Sequence, residues 1–91
     1  MNFDALPGGD LVRQGLADLE NGEETIAALL VSIGATRLRR LGVPVPTPTV
    51  SDAEHRLYLR LAAEESDSAH SRYNAWLRRL VSFENAAECV S

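Results

Sequence analysis

The sequence predicts an all-α domain in which two short antiparallel helices, a proline-stiffened connector and one long C-terminal helix form a helical bundle. Three observations support this fold class. All ten glycines and prolines lie at or before Pro48, so only the first half of the chain is punctuated. Apolar residues recur at helical spacing on both sides of the connector. The 91 residues are 45 % apolar and 24 % charged, as expected of one globular domain over residues 1–91.

The first helix is predicted over residues 10–21. Its apolar or small residues at helical spacing are Val12, Gly15, Leu16 and Leu19. Asp10 is expected to accept hydrogen bonds from the first free amides. Asn21 and Gly22 are expected to end the helix, which leaves only a tight turn before the next one.

The second helix is predicted over residues 23–41. Asn21 and Glu24 form a plausible capping pair at its start. Its wide apolar face consists of Ile26, Leu29, Leu30, Ile33 and Leu41. Gly42 suits the left-handed position just past a helix end, and the next element is therefore the connector over residues 42–50.

The connector contains prolines at three alternate positions, Pro44, Pro46 and Pro48. Each proline and the residue before it are restricted to extended conformations, which indicates a stiff segment. Such a segment can also be a ligand for an aromatic groove, but a structural connector is the preferred interpretation.

The long C-terminal helix is predicted over residues 52–88, starting from a Ser51-x-x-Glu54 capping box. Alternate steps of four and three residues give the stripe His55, Leu59, Ala62, Ser66, Ala69, Tyr73, Trp76, Leu80, Phe83, Ala87 and Val90. This spacing is typical of a helix packed along its whole length. Residues 66–68 are the weak place because Ser and Asp are mediocre helix formers, so a break there is the alternative to one continuous helix.

The tetrapeptide Leu-Arg-Arg-Leu occurs at residues 38–41 and again at 77–80. In the first copy the arginines are expected to interact with a helix C-terminus, and in the second their stems are expected to cover apolar neighbours. The alternative function is a small DNA-associated regulator that uses Arg37, Arg39, Arg40, Arg78 and Arg79. A net charge of −4, divided evenly along the chain, argues against DNA because phosphate binding needs a concentrated positive surface.

The residues that come nearest to a metal site are Asp67, His70 and Asn74, on one face of the long helix. One chain supplies too few ligands, because bundle sites draw ligands from several helices and a second His70 would have to come from a symmetric partner. A metal-dependent enzyme with a site at such a dimer seam is therefore a distant third hypothesis. We expect no cofactor and no catalysis, and the single Cys89 permits no intrachain disulfide.

The length of the predicted C-terminal helix suggests a partner. A helix of about 37 residues would extend about 55 Å, whereas a compact globule of this chain length has a radius of gyration of only about 12 Å. The uncovered part of the stripe is expected to pack against a second copy, through Tyr73, Trp76, Leu80 and Phe83. The predicted function is thus a non-enzymatic, homodimeric protein–protein interaction module, with a further protein partner as an additional expectation.

Two further expectations concern origin and location. The N-terminal segment lacks the basic start and apolar stretch of a signal peptide, and no apolar run approaches the roughly 20 residues of a spanning helix. We therefore expect a cytoplasmic protein with no membrane partner. All nine basic residues are arginine, a usage that favours a bacterial, GC-rich genome over a selected chemistry.

Overall fold

The computed structural model describes residues 3–90, which contain five α-helices and no β-strand. The helices are α1 (Gly9–Glu20), α2 (Ile26–Ile33), α3 (Ala35–Arg40), α4 (Ala53–Glu64) and α5 (Ala69–Val90). Single 3-10 turns occupy Phe3–Ala5 and Ser66–Ser68. The prediction of an all-α helical bundle is confirmed.

The core is organised around α2, which contacts α1, α3, α4 and α5. Five consecutive residues of α2 are buried: Ala27, Ala28, Leu29, Leu30 and Val31. A helix that is apolar all round is stable only when other elements surround it. The remaining helices supply that cover, and they place α3 and the middle of α5 side by side at one edge of the bundle.

The contact between α1 and α2 depends on a glycine. A Cβ atom added at Gly15 would lie 2.4 Å from the carbonyl oxygen of Ala27 and 2.4 Å from Cγ2 of Val31. Such separations are far below van der Waals contact, so the two helices approach this closely only because position 15 has no side chain.

The predicted side-chain caps are wrong at three helix starts. Gly8 occupies the N-cap position of α1, and Asp10 lies inside the first turn, where its side chain caps nothing. Thr25 caps α2, where its hydroxyl accepts a hydrogen bond from the Ala28 amide at 3.1 Å. The box at residues 51–54 does not form, because Asp52 takes a left-handed conformation with φ of 55° and its side chain caps nothing. At the start of α2 the neighbouring polar residues Asn21, Glu23, Glu24 and Thr25 could all serve as caps, and spacing alone does not choose among them.

The end of the second predicted helix is confirmed at Gly42, which has φ of 89°. The Gly42 amide donates to the carbonyl of Arg39, and the Val43 amide donates to the carbonyl of Leu38 at 3.0 Å. This pair of bonds is a Schellman motif, in which Val43 and Leu38 are also both buried. The helix itself is divided at Gly34, so the single helix predicted over residues 23–41 is α2 followed by the shorter α3.

The connector after Gly42 is packed against the core. Val43 and Val45 are buried, whereas the intervening Pro44 is exposed. The Val50 amide donates to the Ser32 hydroxyl of α2 at 3.1 Å. Alternate inward and outward residues are what an extended, proline-restricted segment produces, so the connector is fixed in place by packing as well as by its prolines.

The continuous helix predicted over residues 52–88 is wrong. The observed helix α4 ends at Glu64. Glu65 is extended, with φ of −159° and ψ of 103°, and a 3-10 turn then leads into α5. The alternative, a break near residues 66–68, is the observed arrangement. Ser and Asp hydrogen-bond readily to nearby backbone groups, which makes this segment compatible with a turn although it contains neither Gly nor Pro.

The break also changes which residues face the core in α4. The buried residues there are Ala53, Leu57 and Leu61, whereas His55 is exposed and Leu59 is 52 % exposed. Beyond the break the predicted stripe is correct for Ala69, Leu80, Phe83 and Ala87, which are buried, but wrong for its last residue, Val90, which is 64 % exposed at the end of α5. A stripe extrapolated across a turn loses its phase, because the two helices can rotate independently.

Folding back at Glu65 places α4 against α5. The radius of gyration is 12.6 Å, close to the roughly 12 Å of a compact globule of this length, and the longest dimension is 38 Å. The predicted rod of about 55 Å is therefore absent, and with it the argument that a long helix must be covered by another chain.

Candidate protein-interaction surface

The four residues predicted to form a dimer interface have separate roles within the chain. Leu80 is 3 % exposed and Phe83 is fully buried, so both belong to the core of the bundle and are not available to a partner. This part of the interface prediction is wrong, because α2 and α1 cover the stripe that was expected to be uncovered. Tyr73 and Trp76 are half-buried.

The two half-buried aromatic residues already have neighbours. The ring of Tyr73 meets that of Tyr58 on α4 edge to face, with centroids 5.8 Å apart. Burial and, to a smaller extent, the Glu54 carboxylate raise the pKa of Tyr73 above its ordinary value. The guanidinium of Arg79 lies over the Trp76 ring, 5.2 Å from its centroid. Both rings therefore stabilise the bundle and expose only part of their surface.

A different part of α5 presents apolar side chains to solvent. Val81 is 44 % exposed, and Leu77, one turn earlier, is half-buried. Ile33 at the end of α2 is also half-buried and lies across a groove from them. We refer to Ile33, Arg40, Leu77, Arg78 and Val81 together as the α3–α5 surface.

Two grooves flank Leu77 and Val81. One has a volume of about 380 Å³ and separates them from Ile33 and Arg40. The other has a volume of about 370 Å³ and is bordered by Asn74, Arg78 and Ser82 of α5 itself. Because both grooves are lined by Leu77 and Val81, these two side chains form an apolar ridge between them.

Arg37 joins α3 to α5 and is part of the wall of the first groove. Its guanidinium lies 3.4 Å from Oε1 of Glu84, and it donates to Oδ1 of Asn85 at 2.9 Å and to Oε2 of Glu88 at 2.7 Å. These contacts span 47 to 51 residues of sequence. They hold α3 at a fixed position beside the ridge.

Glu84 is the acidic residue at the end of the first groove. It is only 5 % exposed, and burial raises the pKa of its carboxyl group above the ordinary value, an effect that the Arg37 guanidinium opposes. Its Oε2 atom would lie 2.9 Å from a Cβ atom added at Gly34. The glycine that divides α2 from α3 thus makes room for the carboxylate.

The arginines of the two Leu-Arg-Arg-Leu segments differ in their engagement. Arg39 donates to the carbonyl of Pro46 at 3.2 Å, while Arg79 covers Trp76 and lies 3.7 Å from the Asp10 carboxylate. Within residues 3–90, Arg40 and Arg78 have neither a hydrogen-bond nor an ion-pair partner, and each lines one of the two grooves.

The weak metal candidates are not assembled into a site. Asp67 lies in the 3-10 turn and is exposed, and His70 is exposed in the first turn of α5. The side-chain amide of Asn74 is 3.3 Å from Nε2 of His70. Among the residues that the structure describes, no three His, Cys, Asp or Glu side chains are close enough together to hold a metal ion.

The sequence interpretation missed Leu77 and Val81 as surface residues. Their spacing of four was a usable signal, since both lie beside the buried stripe and form a second apolar row on α5. Ile33 was assigned to the apolar face of the second helix, and no local pattern indicates that its side chain is only half-buried. The unpaired state of Arg40 and Arg78 depends on distant residues and could not be read from spacing.

Comparisons with protein-family models, with curated proteins and with solved structures find no match for this chain. Among the residues described, no helix has the length and apolar character needed to cross a membrane.

Proposed function

We propose that the protein is a non-enzymatic protein–protein interaction module that binds a partner on the α3–α5 surface. The observation that carries the proposal is the apolar ridge of Leu77 and Val81, which the rest of the chain covers only in part and which lies between two grooves. Exposed apolar side chains that are contiguous and bordered by charged groups are typical of interaction sites. The cytoplasm, expected from the sequence, is the proposed location.

The partner predicted from the sequence is a second copy of the chain, and homodimerisation stays a prediction. Its first reason was an uncovered long helix, and the turn at Glu65 removes that reason. A second copy can still be tested directly on the α3–α5 surface, because the mass of a crosslinked product identifies it.

A photoreactive amino acid placed at Val81 tests the proposal in cells that express the full chain. We expect adducts on irradiation, because Val81 lies at the centre of the proposed contact. The matched control is the same substitution at Leu59, which is more exposed but lies on α4 outside both grooves. An adduct of twice the chain mass would identify a homodimer. Equal yields at the two positions, or no adduct at Val81, would refute the proposal.

A DNA-associated regulator is the second candidate, since both Leu-Arg-Arg-Leu segments contribute to the α3–α5 surface. Two unpaired arginines would neutralise about two phosphates, giving a salt slope of only about −2 against the 6–10 phosphate contacts of typical DNA-binding proteins. We therefore expect weak binding to labelled duplexes at low salt. Tight, steeply salt-dependent binding that is lost with Arg39→Ala and Arg40→Ala would favour DNA instead.

The distant third candidate, a metal-dependent enzyme at a dimer seam, needs ligands from two chains around His70. Metal analysis of the purified protein tests it. A stoichiometric metal that is lost with His70→Ala would replace the interaction module as the leading proposal.

A further inference from the structure

The partner of the α3–α5 surface must match both its shape and its charge. The ridge consists of two side chains one helical turn apart, with a groove on either side. A ridge between two grooves is the surface shape against which another helix packs, because its side-chain rows, spaced by three or four residues, fit into the grooves. A peptide that binds by adding a strand would need unpaired strand-edge groups, and residues 3–90 contain no strand.

The charges next to the ridge are positive. Arg40 lines the groove beside α3, and Arg78 lines the groove on the far side of Val81. Both are exposed, and neither has a partner among the described residues. The nearby acids are occupied, since Glu84 and Glu88 contact Arg37.

Unpaired arginines are unusual in this chain. Other arginines of the chain form ion pairs: Arg56 pairs with Glu24 at 2.6 Å and Arg72 pairs with Glu64 at 2.9 Å. An acidic protein of net charge −4 thus leaves two of its arginines unpaired beside its exposed ridge. A guanidinium in that position can bind a carboxylate in a bidentate, charge-assisted manner.

A second copy of the chain is a poor occupant on these grounds. A two-fold dimer applies the same patch to itself, so it would bring Arg40 and Arg78 of one copy towards those of the other. Like charges in a closing interface are unfavourable, and the patch offers no unpaired acid to compensate.

We infer that the α3–α5 surface binds an amphipathic helix of another protein, with an apolar stripe for the Leu77–Val81 ridge and acidic residues on both flanks for Arg40 and Arg78. The inference rests on the proposed function and names its class of partner. The apolar contact supplies most of the affinity, and the two charges set the preference among helices and their orientation.

The test uses three synthetic helical peptides of about 18 residues, long enough to be substantially helical in an alanine-rich background. The first carries leucines at helical spacing with glutamates on both flanks. The second replaces every glutamate with lysine, and the third replaces every leucine with serine. Fluorescence anisotropy with the full chain is expected to show that the glutamate peptide binds about tenfold more tightly than the lysine peptide. The serine peptide is expected not to bind.

Charge reversal with Arg40→Glu and Arg78→Glu is expected to invert the preference between the glutamate and lysine peptides. The matched control is Arg13→Glu with Arg60→Glu, which changes the net charge equally at exposed positions on α1 and α4 and should leave the preference intact. Circular dichroism establishes that each variant is folded, and the milder Arg40→Gln with Arg78→Gln serves if charge reversal unfolds the chain.

Three results would overturn the inference: equal binding of the two charged peptides, loss of the preference in the control variant, or a tight dimer through Val81 in sedimentation. If adducts still form at Val81 but the peptides show no charge preference, only the acidic helix is excluded. If no adduct forms there, the proposed function itself fails.

Discussion

The two Leu-Arg-Arg-Leu segments have the same four residues and opposite burial. In the segment at residues 38–41 the leading leucine, Leu38, is fully buried and Leu41 is half-buried. In the segment at 77–80 the order is reversed: Leu77 is half-buried and Leu80 is 3 % exposed. The first segment ends α3 and the second lies in the middle of α5, and the face that each helix packs against the core decides which leucine is buried.

The arginines follow the same inversion. In the first copy the leading arginine, Arg39, is bonded to a backbone carbonyl and Arg40 is unpaired. In the second copy Arg78 is unpaired and Arg79 covers a tryptophan. Each copy therefore contributes one arginine to the structure of the bundle and one to the α3–α5 surface. A short motif has no fixed role apart from the helix that carries it.

The largest expected difference within each segment is between its two leucines. Leu38→Ala and Leu80→Ala should each lower the free energy of unfolding by about 2–5 kcal/mol, because each leaves a cavity in the core. Leu77→Ala should cost about 1 kcal/mol, since its side chain is only half-buried. Urea denaturation measures the free energy of unfolding of all three variants, provided that their m-values equal that of the parent. Equal losses for Leu77→Ala and Leu80→Ala would contradict the burial described above.

A smaller effect is expected at the residue that follows each segment. Gly42→Ala should lower the free energy of unfolding by about 1–2 kcal/mol, because an alanine with φ of 89° is strained although the site has open space. Val81→Ala, at the same offset in the second segment, should change stability by only about 0.5 kcal/mol. Gly22→Ala should cost a similar amount, because Gly22 has φ of 71° in the same motif at the end of α1, where the Glu23 amide donates to the carbonyl of Asp18 at 2.8 Å. A neutral Gly42→Ala would mean that the Schellman motif is not formed.

The burial of Glu84, the α5 partner of Arg37, should appear in the pH dependence of stability. Burial raises the pKa of Glu84 above its ordinary value of 4.5, so between that value and the raised one the folded state binds more protons. Its contribution to the free energy of unfolding therefore falls as the pH rises through this window.

Glu84→Gln should remove that dependence, so that the stability of the parent relative to the variant increases as the pH falls from neutral towards 4.5. Thermal unfolding at a series of pH values measures it. Glu88→Gln, which alters an exposed partner of the same arginine, is the control and should keep the parent's dependence. Identical pH profiles for the parent and Glu84→Gln would show that Glu84 is not desolvated.

Local chemistry made some features predictable and left others undetermined. Gly42 and the buried row from Ala69 to Ala87 follow from residue type and from spacing within a single helix. The turn at Glu65 does not, since Glu-Glu-Ser-Asp-Ser tolerates both a helix and a turn and the packing of α4 on α5 decides. The Arg37–Glu84 pair joins residues 47 apart, beyond the reach of any local pattern. The same limit applies to Leu80 and Phe83, which the sequence marks as apolar without saying which helix covers them.

The close approach of α1 to α2 restricts how this chain can diverge. Position 15 has no room for a single additional carbon atom, and three residues later Asp18 accepts hydrogen bonds from Gln14 at 2.8 Å and from the Thr25 hydroxyl at 2.5 Å. Thr25 in turn caps α2. A distant relative with this packing is expected to keep a glycine, an acid three residues on and a hydroxyl residue seven after that. Such a spaced signature would persist while the exposed positions of the helices change freely.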